Sequence, residues 1–190
     1  MAPVLEVLAD EVEKKRREQN SKDVGASKSM IQFVKPGQKL PGPRREVFQT
    51  SYLDQATDWQ LKVDLTKQLK IPTEILSTPL RPDMIIYSRT SKKLGIIELT
   101  VPFEDRIGVS NELKLSKYQP LASETEWSVR VWAVEVGCRG FPAQSLSTFF
   151  KNIGIRGKEN KRCLRRISSK AEEASSTLWK MSRVEKWGQK

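Results

Sequence analysis

Asp83 and Glu98 stand at matching ends of two short apolar runs, Met84-Ile85-Ile86-Tyr87 and Leu94-Gly95-Ile96-Ile97, whose β-branched composition is that of consecutive strands in one sheet. An antiparallel pairing around a turn centred on Thr90-Ser91 sets Asp83 opposite Glu98. Side by side, two carboxylates repel each other and lose hydration, a cost that a divalent cation offsets. Two hard oxygen donors suit Mg²⁺ or Mn²⁺, which need few protein ligands and keep much of their water. Further along, Lys114-Leu115-Ser116-Lys117-Tyr118 adds two ammonium groups and a phenol. A cation between carboxylates polarises a phosphate oxygen and readies water for attack, and nearby lysines steady the charge that develops.

Composition narrows the alternatives. The 190 residues contain no histidine and only two cysteines, Cys138 and Cys163. A zinc finger, a Ser-His-Asp triad and a histidine general base are therefore excluded within this chain. Carboxylates, lysines, tyrosines and a borrowed metal remain for hydrolysis. The formal net charge of +11 favours phosphate backbones, and it is concentrated in residues 156–190, where 11 basic side chains stand against 4 acidic ones. No apolar run reaches the length of a membrane span and the amino terminus lacks a secretory hydrophobic stretch, so the expectation is an intracellular chain without a membrane partner.

The elements that must position these groups divide the chain into three: an N-terminal helix and linker over 1–46, a compact core over 47–155, and a basic C-terminal helix over 156–190. The first 22 residues predict a helix with Val4, Leu5, Leu8 and Val12 on one face. Its run Lys14-Lys15-Arg16-Arg17 reads as a solvated helix end, a nuclear-import patch or a phosphate contact. Breakers between Asp23 and Pro43 mark a linker crossing one short strand, Ile31-Gln32-Phe33-Val34. Ala56, Trp59, Leu61, Val63, Leu65 and Leu69 suggest a helix over 54–69. After the hairpin, Pro102 ends the strand, and a helix is expected over 110–122, capped by Ser110 or Asn111. There Lys114, Lys117, Tyr118 and Leu121 share one face. Lysines on an apolar face ordinarily snorkel, and it is the neighbouring acids that give these two a chemical reading. Trp127 to Val136 alternates as a strand, Gly137-Cys138-Arg139-Gly140 turns, and a short helix covers 143–153. A final helix over 161–187 carries Leu164, Ile167, Ala171, Ala174, Leu178 and Met181 at heptad-like spacing. Its opposite face, Arg162, Arg165, Arg166 and Lys170, is either solvated or a rail for duplex phosphates.

Arg81-Pro82-Asp83, fourteen residues, Glu98-Leu99-Thr100-Val101, a further acid at Glu104, and Lys-x-x-Lys-Tyr on the next helix resemble the PD-(D/E)XK nuclease superfamily. Within it the pattern is similar to the restriction-like endonuclease domain of site-specific non-LTR retrotransposons. The resemblance covers roughly residues 56–137, and its specific core is 81–118. It implies an α/β (α+β) fold, a central mixed β-sheet flanked by helices, here with a C-terminal helical extension. It further implies Asp83 and Glu98 as ligands of Mg²⁺ or Mn²⁺, with Glu104 as a metal or water-orienting acid. The lysine usual two residues after the second acid is Thr100 here. The retrotransposon branch is similar in lacking it, which implies Lys114 and Lys117 as substitutes supported by Tyr118. Lys117 would steady the attacking water or the developing charge, and Lys114 the neighbouring phosphate.

The resulting expectation is a metal-dependent DNA endonuclease domain in the nucleus, either detached from a larger reverse-transcriptase-containing protein or a shortened descendant of such a domain. Arg81, Arg162, Arg165, Arg166 and Lys170 are its expected phosphate contacts, and staggered cutting would call for a homodimer. Two alternatives stand beside it: a nucleic-acid-binding module that keeps the fold without the activity, and a helical interaction module using the final helix.

Overall fold

The computed structural model describes residues 2–22, 50–66 and 68–187, with side chains as far as residue 182. The strand expected at Ile31-Gln32-Phe33-Val34 and the linker around it lie outside these residues. Among them the fold is mixed α/β: a four-stranded mixed sheet and four helices. Helix α1 (Ala2–Asn20) precedes β1 (Gln60–Val63), β2 (Met84–Ser88) and β3 (Lys93–Thr100). Helix α2 (Ile107–Tyr118) then leads to β4 (Ser128–Glu135), α3 (Gln144–Asn152) and α4 (Gly157–Trp187). The strands lie in the order β1-β2-β3-β4. The first three are antiparallel neighbours, whereas β4 runs parallel to β3 and so requires the crossover through α2.

Alternation along each strand divides the sheet into two faces. Met84, Ile86, Ile97, Leu99, Trp132 and Val134 point to the larger cluster, which α1, α3 and α4 close. Ile85, Tyr87, Leu94 and Ile96 point the other way, under Tyr118 at the end of α2 and Leu121 in the turn that follows it. Gly95 of β3 leaves room for the Trp132 ring of β4 beside Ile86 of β2, because a Cβ there would stand 2.6 Å from the Trp132 ring and 2.9 Å from Ile86. The amphipathic face read for α1 is the buried one, with Val4, Leu5, Leu8 and Val12 inside, each contributing about 1.5–3 kcal/mol of apolar burial.

Residues 54–69 do not form the expected helix. Tyr52–Gln55 make one 3₁₀ turn, closed by a reciprocal cap between Ser51 and Asp54, and the chain then extends into β1. Leu61 and Val63 alternate with Gln60 and Lys62, a period of two that outweighs the looser helical spacing. Two aspartates also draw the backbone away from helical bonding. Asp58 accepts from Ser88 Oγ at 2.5 Å and Thr90 N at 2.9 Å, and Asp64 accepts from the amides of Thr66, Gln68 and Leu69. Helix α2 also begins earlier than expected, at Ile107 after a 3₁₀ turn over Glu104–Arg106, so neither Ser110 nor Asn111 caps it. It ends at Tyr118 and tightens into a 3₁₀ turn over Gln119–Ser123, where Pro120 has no amide to continue the α-helix.

The terminal helices pack on each other as well as on the sheet. Glu11 of α1, 2% exposed, accepts from Arg162 at 3.1 Å and from Arg166, both on α4. The basic run of α1 is also partnered. Arg16 and Arg17 hold Glu13, whose carboxyl the Arg16 hydrogen bond pulls down to about 2, and Arg16 additionally caps the Trp59 carbonyl at 2.8 Å. On α4, Ile167 and Ala171 are buried as expected, while Leu178 and Met181 are exposed. The apolar stripe therefore continues beyond the body that covers its first half.

Candidate active site

The hairpin has the register that its sequence implies. Met84 pairs with Ile97 and Ile85 with Ile96, so Asp83, one residue before β2, stands opposite Glu98. The two meet through the backbone as well, because Leu99 N donates to Asp83 Oδ2 at 2.9 Å. Alternation puts Glu98 on the α2 face, where the apolar cluster stops and polar groups begin. Its side chain is 1% exposed, and both oxygens are engaged by α2. Tyr118 Oη donates to Oε1 and Lys114 Nζ to Oε2. Lys117 reaches the same network from outside, donating to Tyr118 Oη at 3.1 Å with its ammonium 4.7 Å from the ring centroid.

Burial and, after it, the charge of Glu98 hold the Asp83 carboxyl above the usual carboxylate range. Burial, then the hydrogen bond to Glu98, pushes the Tyr118 phenol up, so it stays a protonated donor at every ordinary pH. The result is an acid pair on two strands, braced by a lysine and a tyrosine one helical turn apart. Asp83, Glu98, Lys114, Lys117 and Tyr118 are thus assembled by residues far apart in sequence. Arg81, exposed, lies two positions before Asp83.

Of the other sequence candidates, Thr100 alone lies on the strand that carries Glu98. Glu104 is taken up by Arg139, accepting its amide at 2.9 Å and its guanidinium at 3.0 Å. Thr100 shares the face of Glu98, and its Oγ1 is buried without a hydrogen-bond partner. Arg162 and Arg166 are engaged by Glu11, Lys170 pairs with Glu173 at 3.0 Å, and Arg165 Nε donates to the Lys161 carbonyl at 3.4 Å. All four belong to α4, whose buried residues close the sheet face opposite Glu98.

One group escaped the sequence reading. Glu135, at the end of β4, is 0% exposed and accepts from Ser145 Oγ at 2.5 Å and from Asn111 Nδ2 at 3.1 Å to each oxygen. Its signal was parity: it follows Val129, Val131 and Ala133 on the inward face of an alternating strand.

The donor set limits what the site holds. Among the described residues no group of three or more Cys, Asp or Glu is arranged to bind a metal. A cation here would have Asp83 and Glu98 as its protein ligands, with water and phosphate completing the shell. Hard oxygen donors suit such an ion, which would take the place of the Lys114 ammonium on Glu98 Oε2, a position that already attracts positive charge. No helix among the described residues is long and apolar enough to cross a membrane. The chain matches no family model and no curated protein.

Proposed function

We propose that this chain is a metal-dependent DNA endonuclease of the PD-(D/E)XK type, with Asp83 and Glu98 as its metal-holding pair. The observation that carries the reading is a buried glutamate facing an aspartate across a hairpin, with both of its oxygens held by a lysine and a tyrosine from one helix. Such a pair raises the free energy of the empty protein, and functional sites are where such a cost is retained. The order of elements supports the same reading: a helix, three antiparallel strands, a crossover helix and a fourth strand parallel to the third.

When bound, the cation supplies Lewis-acid polarisation of a phosphate oxygen. The residues of the chain do the rest. Asp83 is oriented by the Leu99 amide, and Glu98 by Tyr118 and Lys114. Lys117, exposed at the rim and steered by the Tyr118 hydroxyl, is placed to meet a phosphate, and Lys114 can transfer its ammonium from Glu98 to one. Arg81 adds positive charge on the approach to Asp83.

The test is nicking of supercoiled plasmid in Mg²⁺ or Mn²⁺, comparing the parent with Asp83→Ala and Glu98→Ala. Loss of about 10²-fold or more in rate is expected for each variant. A parent that never nicks while binding DNA with a steep salt dependence would leave a binding module of the same fold. Variants that cut as well as the parent would remove the site assignment.

A further inference from the structure

We propose that Glu135 is a positioning residue: it fixes α2 over the carboxylate pair so that Lys114 and Tyr118 reach Glu98. The inference deepens the nuclease reading and rests on it for its activity and Mn²⁺ measurements, while the exchange measurement stands apart from it.

Helix α2 is held in an unusual way. Tyr118, at its last position, is its only buried residue, while Val109 and Leu113 point to solvent. Apolar packing therefore anchors the carboxyl end most strongly, while the amino-terminal half has only the half-buried Ile107. The group that holds that half is Asn111. Its Nδ2 donates to both oxygens of Glu135 and to the Ala133 carbonyl at 3.2 Å. Asn111, Lys114 and Tyr118 are spaced three and four apart, so they form one stripe along the helix. That stripe faces two buried carboxylates on neighbouring strands, Glu135 on β4 and Glu98 on β3. Glu135 is braced from behind by Ser145 in the first turn of α3, which links the two helices through the end of β4. A fully buried carboxylate with neutral partners is a costly tether, since an amide would bind Asn111 without the desolvation of a charge. Its partner Asn111 stands one turn before Lys114, which gives the tether a use.

Without the tether, α2 pivots about Tyr118 and the lysine leaves Glu98. Because the Lys114 ammonium and a divalent cation compete for the same carboxylate, that release has opposite effects on two measurements. Cation affinity rises, because the competitor has gone. Cleavage falls, because the lysine no longer reaches the phosphate.

The test uses the full chain with Mn²⁺ alone as the probe. Glu135→Ala is expected to bind Mn²⁺ about tenfold more tightly and to nick plasmid about 10–100-fold more slowly. Amide hydrogen exchange over residues 107–118 should rise by about tenfold. Glu135→Gln, which keeps an acceptor for Asn111, should recover most of all three. If Glu135→Ala does not fold, Asn111→Ala removes the same tether and leaves the Glu135–Ser145 pair intact. Unchanged exchange over 107–118, or Mn²⁺ affinity that falls together with activity, would overturn the proposal. A parent that neither nicks nor binds Mn²⁺ defeats the nuclease reading, whereas exchange over 107–118 still decides the role of Glu135.

Discussion

Tyr118→Phe removes a single oxygen from the centre of the network, and the structure sets what that oxygen is worth. Glu98 is 1% exposed, so water cannot replace a lost donor, and Oε1 would keep no partner while Lys114 remained on Oε2. Hydrogen bonds to a charged group contribute about 1.5–3 kcal/mol. The bond from Lys117 to the same hydroxyl adds little, because that lysine is exposed and recovers water. The ring, its packing on Leu121 and its contact with the Lys117 ammonium all survive the change. At about 2–4 °C per kcal/mol for a chain of this size, the expected fall in Tm is about 3–12 °C. The measurement is thermal unfolding in EDTA by circular dichroism, repeated for Glu98→Ala and the double variant. A double-mutant cycle should give a coupling of at least about 1 kcal/mol. Because the phenol stays protonated, the loss should be the same from pH 6 to pH 9. A cost within about 0.5 kcal/mol, with additive variants, would refute the network.

Two further outcomes follow from the buried acids. Asp83 has its carboxyl held above the ordinary range, so the folded state binds more protons than the unfolded one; its contribution is full below about pH 4 and is lost as pH rises through the raised value. Asp83→Asn in EDTA should therefore be about 0.5–2 kcal/mol more stable than the parent at pH 7, with the difference closing on acidification, as a pH series of melts would show. Glu11→Ala leaves Arg162 and Arg166 half exposed and able to regain water. Its cost should accordingly be about 1–3 kcal/mol, below that of breaking a fully buried pair, and read as a lower urea midpoint at unchanged slope.

Much of the site was legible because a hairpin is a local object. The lengths of the two runs and the turn between them determine which residues face each other, and strand alternation then puts Asp83 and Glu98 together. The stripe of Lys114, Lys117 and Tyr118 was equally legible, since helical spacing depends on the backbone alone. Residues 54–69 were misread because a short segment carrying both periods is decided by what its neighbours offer. Here β2 offered an open edge, and Asp58 and Asp64 found backbone and hydroxyl donors that a helix would have left unused.

By itself, the sequence determined an acid pair without histidine, the helix stripe that answers it and the positive charge around both. Only the tertiary structure decided which charges work together. It turned Glu104 toward Arg139, committed Arg162 and Arg166 to Glu11 behind the sheet, and set Glu135 beneath Asn111. Charge and spacing are properties of the chain, whereas the partner that answers a carboxylate is chosen by the packing of elements brought together from distant segments.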